Sequence, residues 1–292
     1  MDTLFHADDF GIDEEQSRRI LACGDATDGI GVLNSLSILA NSPQFDECAS
    51  LLDPYIDRIY VGVHLNVVEG RCCADPDLIP LLVDDRGFFQ RGFASMLLKS
   101  FGPDRALLRR QLQREIIAQI DRVIGRFPSL AQSLRIDSHQ HFHLIPVVFE
   151  AVMGAIEETG YGLEYLRIPA EPLTPFLDRR IFFTLRPVNW IKHGILNVLW
   201  CFDRPLYPSG CQRPAVFCGI LLSGYMDIER LAVLKPAFEH YAQRRHAPLE
   251  FLFHPGAVTT ATECLDPQLS GFVDFYLSEG RSIEAAALEG LR

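Results

Sequence analysis

Short apolar runs alternate with helical stretches along the whole chain, and this alternation limits the fold more than any other feature of the sequence. The runs are TLFHA at the start, LNSLSILA over 33–40, RIYVGVHL over 58–65, LRID over 134–137, EYLRI over 164–168, VFCGILL over 216–222 and LEFLF over 249–253. Asp13 is placed to cap a helix from Glu14 to about Cys23, which Gly24 ends. Ser42 and Pro43 offer an N-cap and a first-turn proline for a helix to Leu52. Over 104–126, Leu108, Leu112, Ile116, Ile120 and Val123 recur at helical spacing with Arg109, Arg110, Arg114 and Glu115 off the stripe. A further helix runs from Pro146 to Thr159 and stops at Gly160. Another follows Asp227, where Pro236 is expected to kink or divide it. Strand and helix in alternation predict an α/β fold with a mostly parallel sheet under helices, here as a single domain over 1–292. Periodicity alone leaves a closed barrel and an open doubly wound sheet equally open.

The formal net charge of −11 sets the chain against nucleic acid and anionic membranes, and favours a neutral or small substrate. None of the eight cysteines forms a CxxC pair, which argues against a thiolate zinc site. With no leader ahead of the first strand, free thiols in a cytoplasmic protein are expected. Residues 181–202 are strongly apolar, but Arg186, Pro187 and Lys192 interrupt them. A span needs roughly 18 uninterrupted apolar residues, so a buried or amphipathic helix is expected rather than an integral membrane span. The oligomeric state is left open, a homo-oligomer included. The irregular stretch from Asn66 to about Gln90 is long enough to be functional.

Six of the nine histidines lie at or just beyond the ends of expected strands, in four clusters. These are His6-Ala-Asp8-Asp9-Phe-Gly11, His64-Leu-Asn66, Asp137-Ser-His139-Gln-His141-Phe-His143 and His254-Pro-Gly256. Parallel α/β folds build their sites where the C-terminal ends of strands converge. On extended chain Asp8 and Asp9 diverge, so one can hold a metal while the other accepts a proton. Asn66 would share a face with His64 if that strand continued. In the same way Asp137, His139, His141 and His143 would all point one way, lining a polar site. One carboxylate with two imidazoles leaves coordination positions open, as a catalytic metal requires. Such a donor set favours Zn²⁺ slightly over Mg²⁺ and leaves one divalent ion of either kind as the expected cofactor. His254 arrives from a separate strand, which suits a donor of a proton to a leaving nitrogen.

HADDFG, GVHLN, RIDSHQHFH, LRIP and FHPG occur in order over residues 6–256. In this the chain resembles the YdjC-like carbohydrate deacetylases, which include diacetylchitobiose deacetylases and hopanoid-associated relatives. The resemblance implies a distorted (β/α) barrel and a divalent metal held by Asp9, His64 and His139. It makes Asp8 the base and His254 the acid or an oxyanion stabiliser. Arg167 becomes a site-lining arginine, and with Asn66, His141 and His143, which the extended reading puts beside the site, it is expected to contact substrate. The implied reaction is metal-dependent hydrolysis of the N-acetyl group of an amino sugar or short oligosaccharide. Two other readings are hydrolysis of another amide or ester by the same metal, and a non-catalytic sugar-binding protein with a decayed site. Few Lys and Arg stand in the four clusters, which weighs against phosphate handling. The chain departs from the family pattern after DDFG, where Glu15-Gln16-Ser17 stands in place of an expected Asn, and over 170–215.

Overall fold

The computed structural model describes residues 3–177 and 180–291. Seven strands form one sheet: β1 (Thr3–Phe10), β2 (Ser35–Ile38), β3 (Tyr60–Leu65), β4 (Leu134–Ser138), β5 (Leu163–Leu166), β6 (Val216–Cys218) and β7 (Leu249–Phe253). Their order is β5-β4-β3-β2-β1-β7-β6, and every pairing is parallel. Nine helices accompany them among the described residues: α1 (Glu14–Leu21), α2 (Phe45–Ser50), α3 (Phe93–Lys99), α4 (Arg105–Arg126), α5 (Pro146–Thr159), α6 (Pro187–Asp203), α7 (Ile228–Arg245), α8 (Ser270–Tyr276) and α9 (Glu279–Gly290).

The sheet curls into a half-barrel. β5 and β7 stand five places apart in the strand order. In a flat sheet that separation would be about 24 Å at the usual strand spacing. Yet the Tyr165 hydroxyl donates to Glu250, and Arg167 Nε, just beyond β5, reaches Glu250 Oε1 at 2.7 Å. This decides between the two architectures that periodicity left open, in favour of the distorted barrel.

Most elements fall where apolar patterning puts them. α5 starts at Pro146 and stops where Gly160 turns left-handed at φ 70°. The stripe of α4 is buried, against α5 among other elements. α2 begins later than expected, at Phe45, because the Ser42 hydroxyl accepts the Gln44 N–H in a turn ahead of the helix. β6 ends at Cys218 although its apolar run continues to Leu222. The buried Glu171 carboxylate takes the Gly219 and Leu221 N–H groups at 2.7 and 2.8 Å, which removes them from the ladder. Pro236 does not divide α7. One missing N–H is outweighed by burial of Leu231, Leu234, Phe238 and Ala242 along the helix. All eight cysteines are free thiols.

Candidate active site

The four histidine clusters meet at the C-terminal end of the curled sheet, each delivered by a strand end. β1 is paired regularly to Ala7, then shifts register before Phe10, with Asp9 held left-handed at φ 65°. This irregularity turns the two adjacent carboxylates apart. Asp8 faces Arg167 and His6, and Asp9 faces His64, His139 and Arg281. Both are buried at the edge of a cavity of about 300 Å³.

Asp9 Oδ1, His64 Nε2 and His139 Nδ1 form a compact triangle. The separations are 3.3 Å from Asp9 to His64, 2.9 Å from Asp9 to His139, and 3.4 Å between the imidazoles. Donors placed about 2.1 Å from one ion at tetrahedral or octahedral angles stand roughly 3.0–3.4 Å apart, so the three fit a common metal. The outward nitrogen of each histidine meets a carboxylate, His64 Nδ1 to Asp137 Oδ1 at 2.5 Å and His139 Nε2 to Glu69 Oε1 at 3.1 Å. Carboxylates so placed fix the orientation of metal-ligating imidazoles. Tyr276 donates to Glu69 in turn, and Arg281 Nη2 holds the other oxygen of Asp9 at 2.5 Å.

Carboxyl groups outnumber guanidiniums in this buried region, which favours further positive charge there. Of five buried carboxyl groups, those of Asp8, Asp137 and Glu250 meet the Arg167 guanidinium and that of Asp9 meets Arg281, while Glu69 meets His139 and Tyr276. Burial alone would raise the carboxyl pKa values. Arg281 overrides this for Asp9 and Arg167 for Asp8 and Asp137, and all three lie well below the usual carboxylate range. Burial would lower the imidazoles, but Asp8 and Asp137 carry His64 up to about 10, and Asp9 with Glu69 carries His139 up to about 9. Without metal, two protons sit where a divalent ion would otherwise supply the same charge. His6, Asp8 and Asp137 form a second acidic group, at 3.3 and 3.2 Å, but Arg167 already bridges its two carboxylates as a cation.

Other residues singled out in the sequence are placed differently. The 137–143 segment is not extended. β4 ends at Ser138, and Gln140 and His141 turn left-handed at φ 51° and 58°. His139 and His141 therefore border the cavity, whereas His143 turns away, bonded to Ser138 Oγ at 2.6 Å and the Arg167 carbonyl at 2.8 Å. Burial lowers both His141 and His143, the latter to about 4. β3 stops at Leu65, so Asn66 folds back to accept from the Val68 and Glu69 N–H groups instead of sharing a face with His64. Arg167 is fully buried behind Asp8, not on the cavity wall. Asn66, His143 and Arg167 do not line the cavity and instead support the loops and carboxylates around the site. His254 borders the cavity. Its N–H donates to Glu284, and Gly256 at φ 79° makes the turn that follows, against α1.

Glu69, Arg281 and Tyr276 were not foreseen. Glu69 stood in the loop flagged by its length, but nothing marked that carboxylate within it. The other two lie on C-terminal helices without a motif. An apolar wall of Phe93, Ile195, Leu196, Ile220, Phe272 and Phe275 completes the cavity.

Comparison with known proteins bears on this arrangement. The family model of the YdjC-like protein matches residues 3–290. The chain belongs to the YdjC-like family. Among its relatives are a carbohydrate deacetylase of Danio rerio, 29% identical over 74% of this chain and 64% of that one, and a chitooligosaccharide deacetylase of Escherichia fergusonii, 27% identical over 55% of this chain and 57% of the other. The chain thus spans less than two thirds of the length of these YdjC-like relatives. A solved structure from Enterococcus faecalis, described as a cellobiose-phosphate cleavage protein, shares the fold with a TM-score of 0.63 at 17% identity, over 99% of this chain and 90% of that one.

Proposed function

We propose that this YdjC-like chain is, as a single domain, a metal-dependent carbohydrate N-deacetylase that releases acetate from an acetylated amino sugar or short oligosaccharide. The observation that carries the reading is the triangle of Asp9, His64 and His139 at the rim of a cavity that Asp8 and His254 also border. Carbohydrate deacetylases among the relatives support the substrate class.

Asp9, His64 and His139 would hold the ion. A bound divalent ion supplies a Lewis acid for the amide oxygen and a water with a pKa near ~7. Arg167 keeps Asp8 ionised and fixes its orientation through two bonds of 2.7 and 3.0 Å. A carboxylate held so low is a weak base, suited to taking a proton only from an already acidic water. His254 directly follows β7, a different strand from the one that carries Asp8, and delivers a proton to the departing amine nitrogen. The six apolar residues of the wall exclude water from the remaining face and offer rings against which a sugar packs.

Acetate release from N-acetylglucosamine oligomers, measured before and after chelation, tests this directly. Activity that vanishes with chelator and returns with added metal is expected. Turnover indifferent to chelation would overturn the reading.

A further inference from the structure

Helix α6 carries two apolar stripes, and only one is covered. Leu196 and Leu199, with Asn189, His193 and Asp203, are buried on one side. On the other side Val188, Ile191, Ile195, Val198 and Phe202 recur at alternating spacings of three and four, and all are exposed, Ile191 by 63% and Phe202 by 67%. The stripe runs about 21 Å along the helix. Phe183 before it and Leu206 after it extend the exposed apolar surface. The same helix forms part of the cavity wall through Lys192, Ile195 and Leu196. α3, which lends Phe93 to that cavity, carries exposed Leu98 and is followed by exposed Phe101.

Charge around this stripe is opposite to that of the chain. Over 181–206 the charged residues are Arg186, Lys192, Arg204 and a single acid, Asp203. Asp203 is buried while the three cations are exposed, and none of the three has a carboxylate partner among the described residues. Both tryptophans of the chain, Trp190 and Trp200, lie on this helix and are partly exposed. An exposed apolar stripe with cationic flanks and partly exposed indoles is the pattern of a helix lying in a membrane interface.

We infer that the exposed face of α6 docks on an anionic lipid bilayer, lying in the plane of the surface beside the cavity. A second copy of the chain fits less well. A symmetric helix pair would set Arg186, Lys192 and Arg204 against their own copies with no exposed acid on the helix to answer them. The acidic bulk of the protein is repelled by such a bilayer, so electrostatics favours this orientation over others.

The test uses the whole protein with vesicles of phosphatidylcholine alone, and of phosphatidylcholine containing phosphatidylserine. Sedimentation with the anionic vesicles, weakened by salt, and a blue shift of tryptophan emission are expected. Ile191→Asp with Val198→Asp, both exposed and outside the cavity wall, should lower partitioning at least about tenfold while leaving the thermal unfolding profile unchanged. Arg204→Gln should lower it about fivefold. Wild-type protein that stays in the supernatant at low salt would overturn the inference, as would equal sedimentation of the double variant. A dimer that the double variant dissociates, with no vesicle binding, would reassign the face to self-association.

Discussion

Loading the metal-free protein with one divalent ion should release about two protons at pH 7. Asp9, His64 and His139 can ligate only as carboxylate and neutral imidazoles, and binding must displace whatever protons they carry. Asp9 lies well below the carboxylate range and carries none. His64 and His139, raised to about 10 and about 9 by the carboxylates around them, each carry one at neutral pH. The exchange replaces two positive charges by two, so the five buried carboxyl groups see the same local balance before and after loading. With two protons released, apparent affinity should rise about a hundredfold per pH unit between pH 7 and 8. Calorimetric titration in two buffers of different ionisation enthalpy counts the protons directly. Asp137→Asn and Glu69→Gln, which remove the carboxylates behind the imidazoles, should each weaken binding about tenfold to a hundredfold. Release of fewer than about one proton, or an affinity flat with pH, would refute the electrostatic reasoning.

Three further outcomes follow from the same geometry. Asp8→Asn should cut acetate release by about a hundredfold to ten-thousandfold while elemental analysis still finds metal, because Arg167 holds Asp8 beside the three donors and not among them; loss of the metal would mean that Asp8 and Asp9 exchange roles. Arg167→Met leaves Asp8, Asp137 and Glu250 without their shared cation and should cost about 3–5 kcal/mol in denaturant unfolding; a cost below about 1 kcal/mol would contradict this. The metal-free protein should be most stable near pH 6.5 in thermal unfolding. Raised His64 and His139 add stability that is present below the unfolded value and lost as pH rises through about 9–10. Lowered His143 adds stability present above that value and lost as pH falls towards about 4. A profile rising steadily from pH 7 to 10 would contradict the first half of that account.

How much of this was legible in the sequence depends on the kind of signal. Long amphipathic periods and cap residues are local physics, which is why α5 begins and ends where Pro146 and Gly160 put it. Tertiary bonds overrode local preference elsewhere. Glu171 cut β6 short by taking its backbone donors, and the left-handed turn at Gln140 and His141 broke the extended reading of DSHQHFH. The donor triangle was accessible only through motif order, since no local pattern joins residues 9, 64 and 139. Arg281 and Tyr276 left no trace at all, because ordinary residues on C-terminal helices become functional only through the contact they make in space.

Those two side chains have a consequence for how the centre matures. All three proposed metal donors belong to the part of the chain that ends with β4 and its first turn, but their bracing arrives from α8 and α9. A chain cut just after β7 would retain every donor atom and the strands that carry them. It would leave the outer oxygen of Asp9 without its guanidinium and Glu69 without its phenol, a basin with ligands but no rear wall. Limited proteolysis within residues 254–269 should therefore separate ion capture from ion retention.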